Sequence, residues 1–270
     1  MVGPETEAHF LSLQWADSER CYARYCGQIL DFTSESRLTR LGGVSMKKTP
    51  ANERYVQIAS DGVLLDADLA VPQGTAGLVV FAHGSGSNRH SPRNRYVAAV
   101  MHEPGLATLL VSQLTVEEEA EDIITGKLRF DIGLLGRRLT GVVDWLNSNV
   151  ETARLKFGIF GASTGAAGAL MAAAARPERV AAVVSRGGRP DLAMDVLDKV
   201  KAPTLLIVGG DDSPVIGMNR KALSAMHSEK ELVIIPGATH LFEEPGTLEN
   251  VAELATSWFS KYLAVGMAHS

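Results

Sequence analysis

Six short apolar runs punctuate the chain: Leu78 to Ala82, Ala107 to Val111, Leu155 to Phe160, Val180 to Val184, Thr204 to Val208 and Leu232 to Ile235. Apart from Thr108, Lys156 and Thr204, each is continuously apolar rather than apolar at alternate positions, which marks strands covered on both faces, as in a parallel sheet packed between helices. Helical patterns lie between them, near Asn94 to Met101, Phe130 to Asn147, Thr164 to Ala175, Met218 to Met226 and Leu248 to Leu263. In the second, Leu134, Leu135, Leu139, Val142, Val143 and Leu146 form one stripe with polar residues opposite, as a helix resting on a sheet requires. Upstream, Tyr55 to Ala59 and Val63 to Ala70 flank Ser60-Asp61-Gly62, whose Asp-Gly pair signals a hairpin turn. Residues 1–45 do not share this alternation. They read as an N-terminal extension with short helices from Glu5 to Trp15 and Ser18 to Leu30, and the α/β domain occupies residues 46–270, with Met46 as an alternative start.

The polar residues that matter sit where the apolar runs end. The run to Phe160 is followed by Gly161-Ala162-Ser163-Thr164-Gly165 and then by the alanine-rich stretch to Ala175: a strand, a sharp turn and a helix. Such a turn holds a nucleophilic serine, and glycines flank it because the backbone needs conformations and close approaches that a side chain would block. A serine hydroxyl is a poor nucleophile near neutral pH and needs a base beside it. The run to Ile235 leads into Pro236-Gly237-Ala238-Thr239-His240, which supplies an imidazole able to take and return a proton. The run to Val208 leads into Gly209-Gly210-Asp211-Asp212-Ser213-Pro214-Val215, and either aspartate is a candidate for orienting that imidazole. The run to Ala82 ends in His83-Gly84-Ser85-Gly86-Ser87, a turn suited to aiming a backbone N–H at a substrate carbonyl. The expected oxyanion donors are the N–H groups of Ser85 and Thr164, with His83 organising the turn. All four features fall at the C-terminal edge of the predicted parallel sheet, where such folds build their sites.

The arrangement H-G-S-G, G-A-S-T-G, G-G-D-D-x-P-V and G-A-T-H resembles the α/β-hydrolase superfamily, and specifically its small dienelactone-hydrolase-like branch, over roughly Glu53 to Leu263. Arg129-Phe130-Asp131 and Ser185-Arg186-Gly187-Gly188-Arg189-Pro190 also resemble bacterial members, without an assigned catalytic role. True dienelactone hydrolases use a cysteine nucleophile, whereas this chain has Ser163, so the resemblance implies the scaffold and a serine nucleophile rather than that named activity. The family spacing G-x-x-D-x-x-V selects Gly209, Asp212 and Val215, making Asp212 the implied triad acid and Asp211 a turn residue. Larger members insert a cap domain after the strand that follows the nucleophile helix. Here Arg186 to Lys201 is too short for one, and Gln113 to Leu128 is the longest candidate wall, its acidic residues read as a solvated helix face. The implied activity is hydrolysis of short or medium acyl esters or lactones through an acyl-enzyme, by Ser163, Asp212 and His240.

Composition narrows the alternatives. At 270 residues, 46% hydrophobic and 21% charged, the chain accommodates one large core. A net charge of −5 argues against a nucleic-acid partner gripped by a basic face and fits a small-molecule ester substrate. The two cysteines, Cys21 and Cys26, match no common zinc spacing, and no metal is expected. There is no G-x-x-x-x-G-K-[ST] loop, and Gly84-Ser85-Gly86 lacks the third glycine of a dinucleotide fingerprint, so no organic cofactor is expected. No apolar stretch spans a bilayer and the first residues do not form a signal peptide, which points to the cytoplasm and away from a membrane partner. Arg186 and Arg189 are read either as binders of a substrate carboxylate or as partners in structural ion pairs.

Overall fold

The computed structural model describes residues 53–75 and 77–263. The N-terminal extension, its two cysteines, its expected helices and Met46 lie outside the described residues. Eight strands form one sheet: β1 (Glu53–Ser60), β2 (Val63–Ala70), β3 (Gly77–Ala82), β4 (Leu106–Val111), β5 (Phe157–Ala162), β6 (Val180–Arg186), β7 (Thr204–Gly209) and β8 (Lys230–Ile235). Their order is β1-β2-β4-β3-β5-β6-β7-β8. β1 and β2 pair antiparallel, as do β2 and β4, and every other pairing is parallel. Asp61 and Gly62 both have positive φ, 48° and 80°, so the first hairpin closes through the tight turn that its Asp-Gly pair predicts.

Among the described residues there are six α-helices, α1 (Pro92–Met101), α2 (Val116–Thr125), α3 (Ile132–Ser148), α4 (Thr164–Ala175), α5 (Ser213–Ala225) and α6 (Thr247–Leu263), and all but α2 pack on the sheet. The continuous apolar runs make sense once alternate residues are assigned to layers. Leu78, Val80 and Ala82 of β3 pack with Leu139, Val142, Leu146 and Leu170 of α3 and α4. Val79 and Phe81 of the same strand pack with Val97, Met101, Val251 and Phe259 of α1 and α6. The fold is therefore an α/β-hydrolase sandwich with helices on both faces, and no large cap domain is inserted among the described residues. The connection after β6 holds only a ten-residue 3₁₀ segment, Pro190–Lys199, kinked at Ala193.

Helix starts follow local chemistry. Ser91 caps α1 ahead of Pro92, and Asp131 accepts the Leu134 N–H at 2.9 Å to start α3. Thr115 and Glu118 form a reciprocal capping box on α2, with bonds of 3.2 and 2.9 Å. The acidic α2 is a solvated face only in part: Glu117 and Glu121 are exposed. Asp122 is buried against Arg129, Glu118 pairs with the buried Arg138 at 2.5 Å, and Ile123 and Ile124 are exposed. Arginines supplied from outside the helix turn these two acids inward, which helical periodicity alone does not reveal. The Arg129-Phe130-Asp131 stretch is explained in the same way, as a counter-ion followed by a helix cap.

Two glycines should behave in opposite ways. A Cβ on Gly158, in central β5, would meet the Phe259 ring at 2.5 Å. One on Gly217, inside α5, would meet nothing within 4 Å. Gly158→Ala is expected to destabilise by about 1–3 kcal/mol through overpacking. Gly217→Ala is expected to stabilise by about 0.5–1 kcal/mol, the helical cost of glycine relative to alanine. Urea denaturation of the two variants measures both, and a loss at Gly217 would contradict the open surface described.

Candidate active site

Ser163 stands between β5 and α4 with φ 50° and ψ −122°, a conformation that L-residues rarely adopt. The flanking glycines do not share the positive φ; close approach is what requires them. A Cβ on Gly161 would run into the backbone of Ala166, and one on Gly165 would strike the carbonyl oxygens of Ala82 and His83. The helix thus starts hard against the ends of β3 and β5. The strained residue is held through both its backbone groups: its N–H donates to Arg186 O at 3.2 Å, and its carbonyl accepts from Ala166 at 3.1 Å and Arg189 at 3.0 Å.

On the next loop, His240 Nδ1 is hydrogen-bonded to Asp212 Oδ2 at 2.7 Å. The Asp212 side chain is 12% exposed and the His240 side chain 40%, so the carboxylate is sheltered while the ring faces outward. Asp211 is exposed and holds the turn through its backbone N–H, which donates to Ala238 O at 3.0 Å. Gly187, next to the residue that binds the Ser163 N–H, touches the His240 loop: a Cβ there would lie 3.1 Å from His240 O and 3.5 Å from its Cε1. Ser163 Oγ and His240 Nε2 form no direct hydrogen bond in this arrangement.

The loop carrying His240 is closed by a residue that sequence reasoning missed. Glu244 accepts the Thr239 N–H at 3.1 Å and the Thr239 hydroxyl at 2.6 Å, and these bonds hold its carboxyl below the usual carboxylate range. Thr239 and Glu244 stand five residues apart in a loop, a spacing with no recognised motif. Phe242, with φ 56° and 1% exposure, pins the same loop into the core.

The predicted oxyanion turn is equally constrained. Gly84 packs against Ser163, where an added Cβ would lie 2.8 Å from Ser163 Cβ. His83 is buried, and the Gln113 N–H donates to its Nε2 at 3.0 Å, so Nδ1 carries the proton and donates to Gly84 O at 3.0 Å. The Gln113 side chain returns a bond to His83 O at 2.7 Å, and Arg138 holds Gln113 O at 2.7 Å. Of the two expected donors, the Ser85 N–H is already committed to Thr164 Oγ1 at 3.0 Å, which differs from a free backbone donor facing the site. The Thr164 N–H, first in α4, has no intrahelical acceptor.

The two arginines separate. Arg189 forms a two-pronged pair with Asp191 at 2.9 and 2.8 Å, the structural alternative. Arg186, 8% exposed, has no partner for Nε or Nη1 among the described residues, and its guanidinium lies 5.9 Å from the Phe242 ring centre. Burial, with the like charge of Arg93, pushes it down to about 9, still charged at pH 7. Among the described residues no group of three His, Cys, Asp or Glu is arranged to hold a metal, and no helix is long and apolar enough to cross a membrane.

Burial pushes the His83 imidazole down from 6.5 to about 4. Its folded-state value lies below the unfolded one, so between these limits the unfolded chain takes up a proton that the folded protein refuses. Stability is therefore full above pH 6.5 and falls toward pH 4, by about 3 kcal/mol from this group. His90 and His102, also depressed by burial, add in the same direction. In urea titrations at pH 7, 5.5 and 4.5, His83→Asn should be less stable at pH 7 and lose less on acidification; an unchanged acid dependence would contradict a buried neutral ring.

Known proteins share this fold. A solved dienelactone hydrolase from Anabaena variabilis ATCC 29413 is 60% identical, with a TM-score of 0.78 over 80% of this chain and 100% of that one. Est1E from Butyrivibrio proteoclasticus shares the fold at 18% identity and a TM-score of 0.65, over 77% of this chain and 98% of its own. A protein of Mycobacterium tuberculosis (strain ATCC 25618 / H37Rv), named "Putative phosphoribosyl transferase", is 53% identical over 214 residues, 79% of this chain and 47% of that protein. The chain thus spans about half the length of the curated relatives it matches. The model of the Dienelactone hydrolase family matches residues 74–263, and the chain belongs to that family.

Proposed function

We propose that the protein is a serine hydrolase of carboxylic esters, acting on short or medium acyl esters or lactones through an acyl-enzyme. The observation that carries this reading is the 2.7 Å bond between Asp212 and His240 on the same sheet edge as a serine held at a strained turn. Ser163 Oγ attacks the ester carbonyl while His240 Nε2 takes its proton. The tetrahedral oxyanion collapses, the C–O bond breaks, and His240 gives the proton to the departing alkoxide. Water then attacks the acyl carbon, His240 accepts one of its protons, and the acid leaves as Ser163 regains its hydrogen. Asp212 fixes the imidazole tautomer, with Nδ1–H toward the carboxylate, and stabilises the imidazolium. The absent Ser163–His240 bond is compatible with this scheme, since catalytic hydrogen bonds commonly tighten only when substrate arrives.

The chemistry needs no metal or organic cofactor, and its partner is a small-molecule ester. The transferase name of the mycobacterial relatives describes proteins about twice as long as the matched segment, and it is not carried over. The hydrolase family match, by contrast, covers the segment that contains Ser163, Asp212 and His240.

Ser163→Ala is expected to lower p-nitrophenyl acetate turnover by at least about 10³-fold without loss of folding, and to abolish labelling by a fluorophosphonate probe. Substantial turnover remaining in that variant would refute the nucleophile. Asp212→Asn should cost about 10²- to 10⁴-fold in kcat, and Asp211→Asn less than about 3-fold. The reverse order would exchange the two aspartates.

A further inference from the structure

We infer that Thr164 supplies two oxyanion donors, its backbone N–H and its side-chain hydroxyl, with Ser85 acting through that hydroxyl as a positioning residue. The inference rests on the ester-hydrolase reading above. A turn of the H-G-S-G type is expected to present the Ser85 N–H directly to the oxyanion, but here that N–H donates to Thr164 Oγ1 at 3.0 Å. A hydroxyl that accepts a hydrogen bond still has its own proton to give. Among the described residues nothing accepts a proton from Thr164 Oγ1. The bond lies next to the reacting atom: Gly84, which precedes Ser85, is the residue packed on Ser163 Cβ, and Thr164 follows Ser163 directly.

The physical chemistry favours the hydroxyl as a donor. Accepting a backbone N–H polarises the O–H group and strengthens the bond it donates. An O–H bond to an oxyanion is short and roughly twice as strong as a neutral one. The hydroxyl belongs to the first residue of α4, so the positive end of the helix dipole stands behind it. Thr164 is 4% exposed, and the Ser85 bond fixes its oxygen, so little reorganisation is needed as charge develops. The His83, Gln113 and Arg138 bonds hold the donor of that bond in place.

The test compares wild type with Thr164→Val, which keeps the shape and removes the hydroxyl, and Thr164→Ser, which keeps the hydroxyl. Each is assayed on an oxygen ester and on its thiono analogue, whose sulfur is a weak hydrogen-bond acceptor. Thr164→Val is expected to lower kcat on the oxygen ester about 10²-fold with KM within about 3-fold, while Thr164→Ser stays within about 5-fold of wild type. The oxygen-to-thiono rate ratio should fall in Thr164→Val, because the thiono reaction has less of this bond to lose. Wild-type or faster turnover by Thr164→Val overturns the inference, the latter marking the hydroxyl as an obstruction in the site. An equal loss on both esters also overturns it, leaving Thr164 only a support for the Ser85 turn. If Thr164→Val does not fold, Thr164→Ala is read by the same criteria. Inactive Ser163→Ala beside an unaffected Thr164→Val removes this inference alone, whereas an active Ser163→Ala removes the hydrolase reading itself.

Discussion

The site depends on a steric constraint: a helix must begin against the ends of two neighbouring strands with almost no room between them. Gly161 and Gly165 create that room, since a Cβ on either would collide with backbone of Ala166, Ala82 or His83. The chain between them is then forced through a turn in which Ser163 takes φ 50°. A conformation of this kind costs about 1–3 kcal/mol and persists only where its surroundings over-determine it. Here three backbone hydrogen bonds do so, from Ser163 to Arg186 and to Ser163 from Ala166 and Arg189. The same bonds explain why β6 and its following loop lie beside the nucleophile: they brace the strained residue.

The flanking loops are stiffened from outside the reacting centre, each by charge or hydrogen bonding that leaves the chemical groups free. On one side Glu118 pairs with Arg138, Arg138 holds Gln113, and Gln113 brackets His83 through two bonds. On the other, Glu244 clasps Thr239 through backbone and side chain, and Phe242 anchors the segment in the core. A buried charge without compensation is costly, so Arg138, with Glu118 and Gln113 O as partners, makes α2 a fixed part of the wall. That leaves α2 with exposed Val116, Ile123 and Ile124 while Glu118 and Asp122 are drawn inward and Glu117 and Glu121 stay exposed.

The strands, the nucleophile turn and the Asp212–His240 loops could be read from sequence because each follows from a local rule: a doubly buried strand is apolar throughout, and a loop delivering a side chain follows it directly. What could not be read depends on partners distant in sequence. Asp122 and Glu118 look like members of a solvated acidic run until Arg129 and Arg138 are placed beside them. Arg186 and Arg189 look alike in sequence, and only their surroundings give Arg189 a carboxylate partner and leave Arg186 buried without one. The backbone rule that points to Ser85 is blind to the side chain across the gap, where Thr164 Oγ1 takes its N–H. Periodicity also missed the 3₁₀ segment after β6, Pro190–Lys199, whose regular winding is broken at Ala193.

Two histidines follow strands of the same sheet edge, and their hydrogen-bond environments differ. An imidazole has two nitrogens, and it can carry a proton between reactants only if one is left uncommitted. In His83 both are used, Nδ1 toward Gly84 O and Nε2 by the Gln113 N–H, and burial disfavours the charged ring. It therefore acts as a neutral brace, and protonating it would break the bond that Nε2 accepts. In His240 only Nδ1 is engaged, by a sheltered carboxylate, and the ring is 40% exposed. An N–H donated to a ring nitrogen excludes a proton there, as at His83. The partners on each ring, more than its position in a motif, make His83 a structural histidine and leave His240 with one nitrogen open.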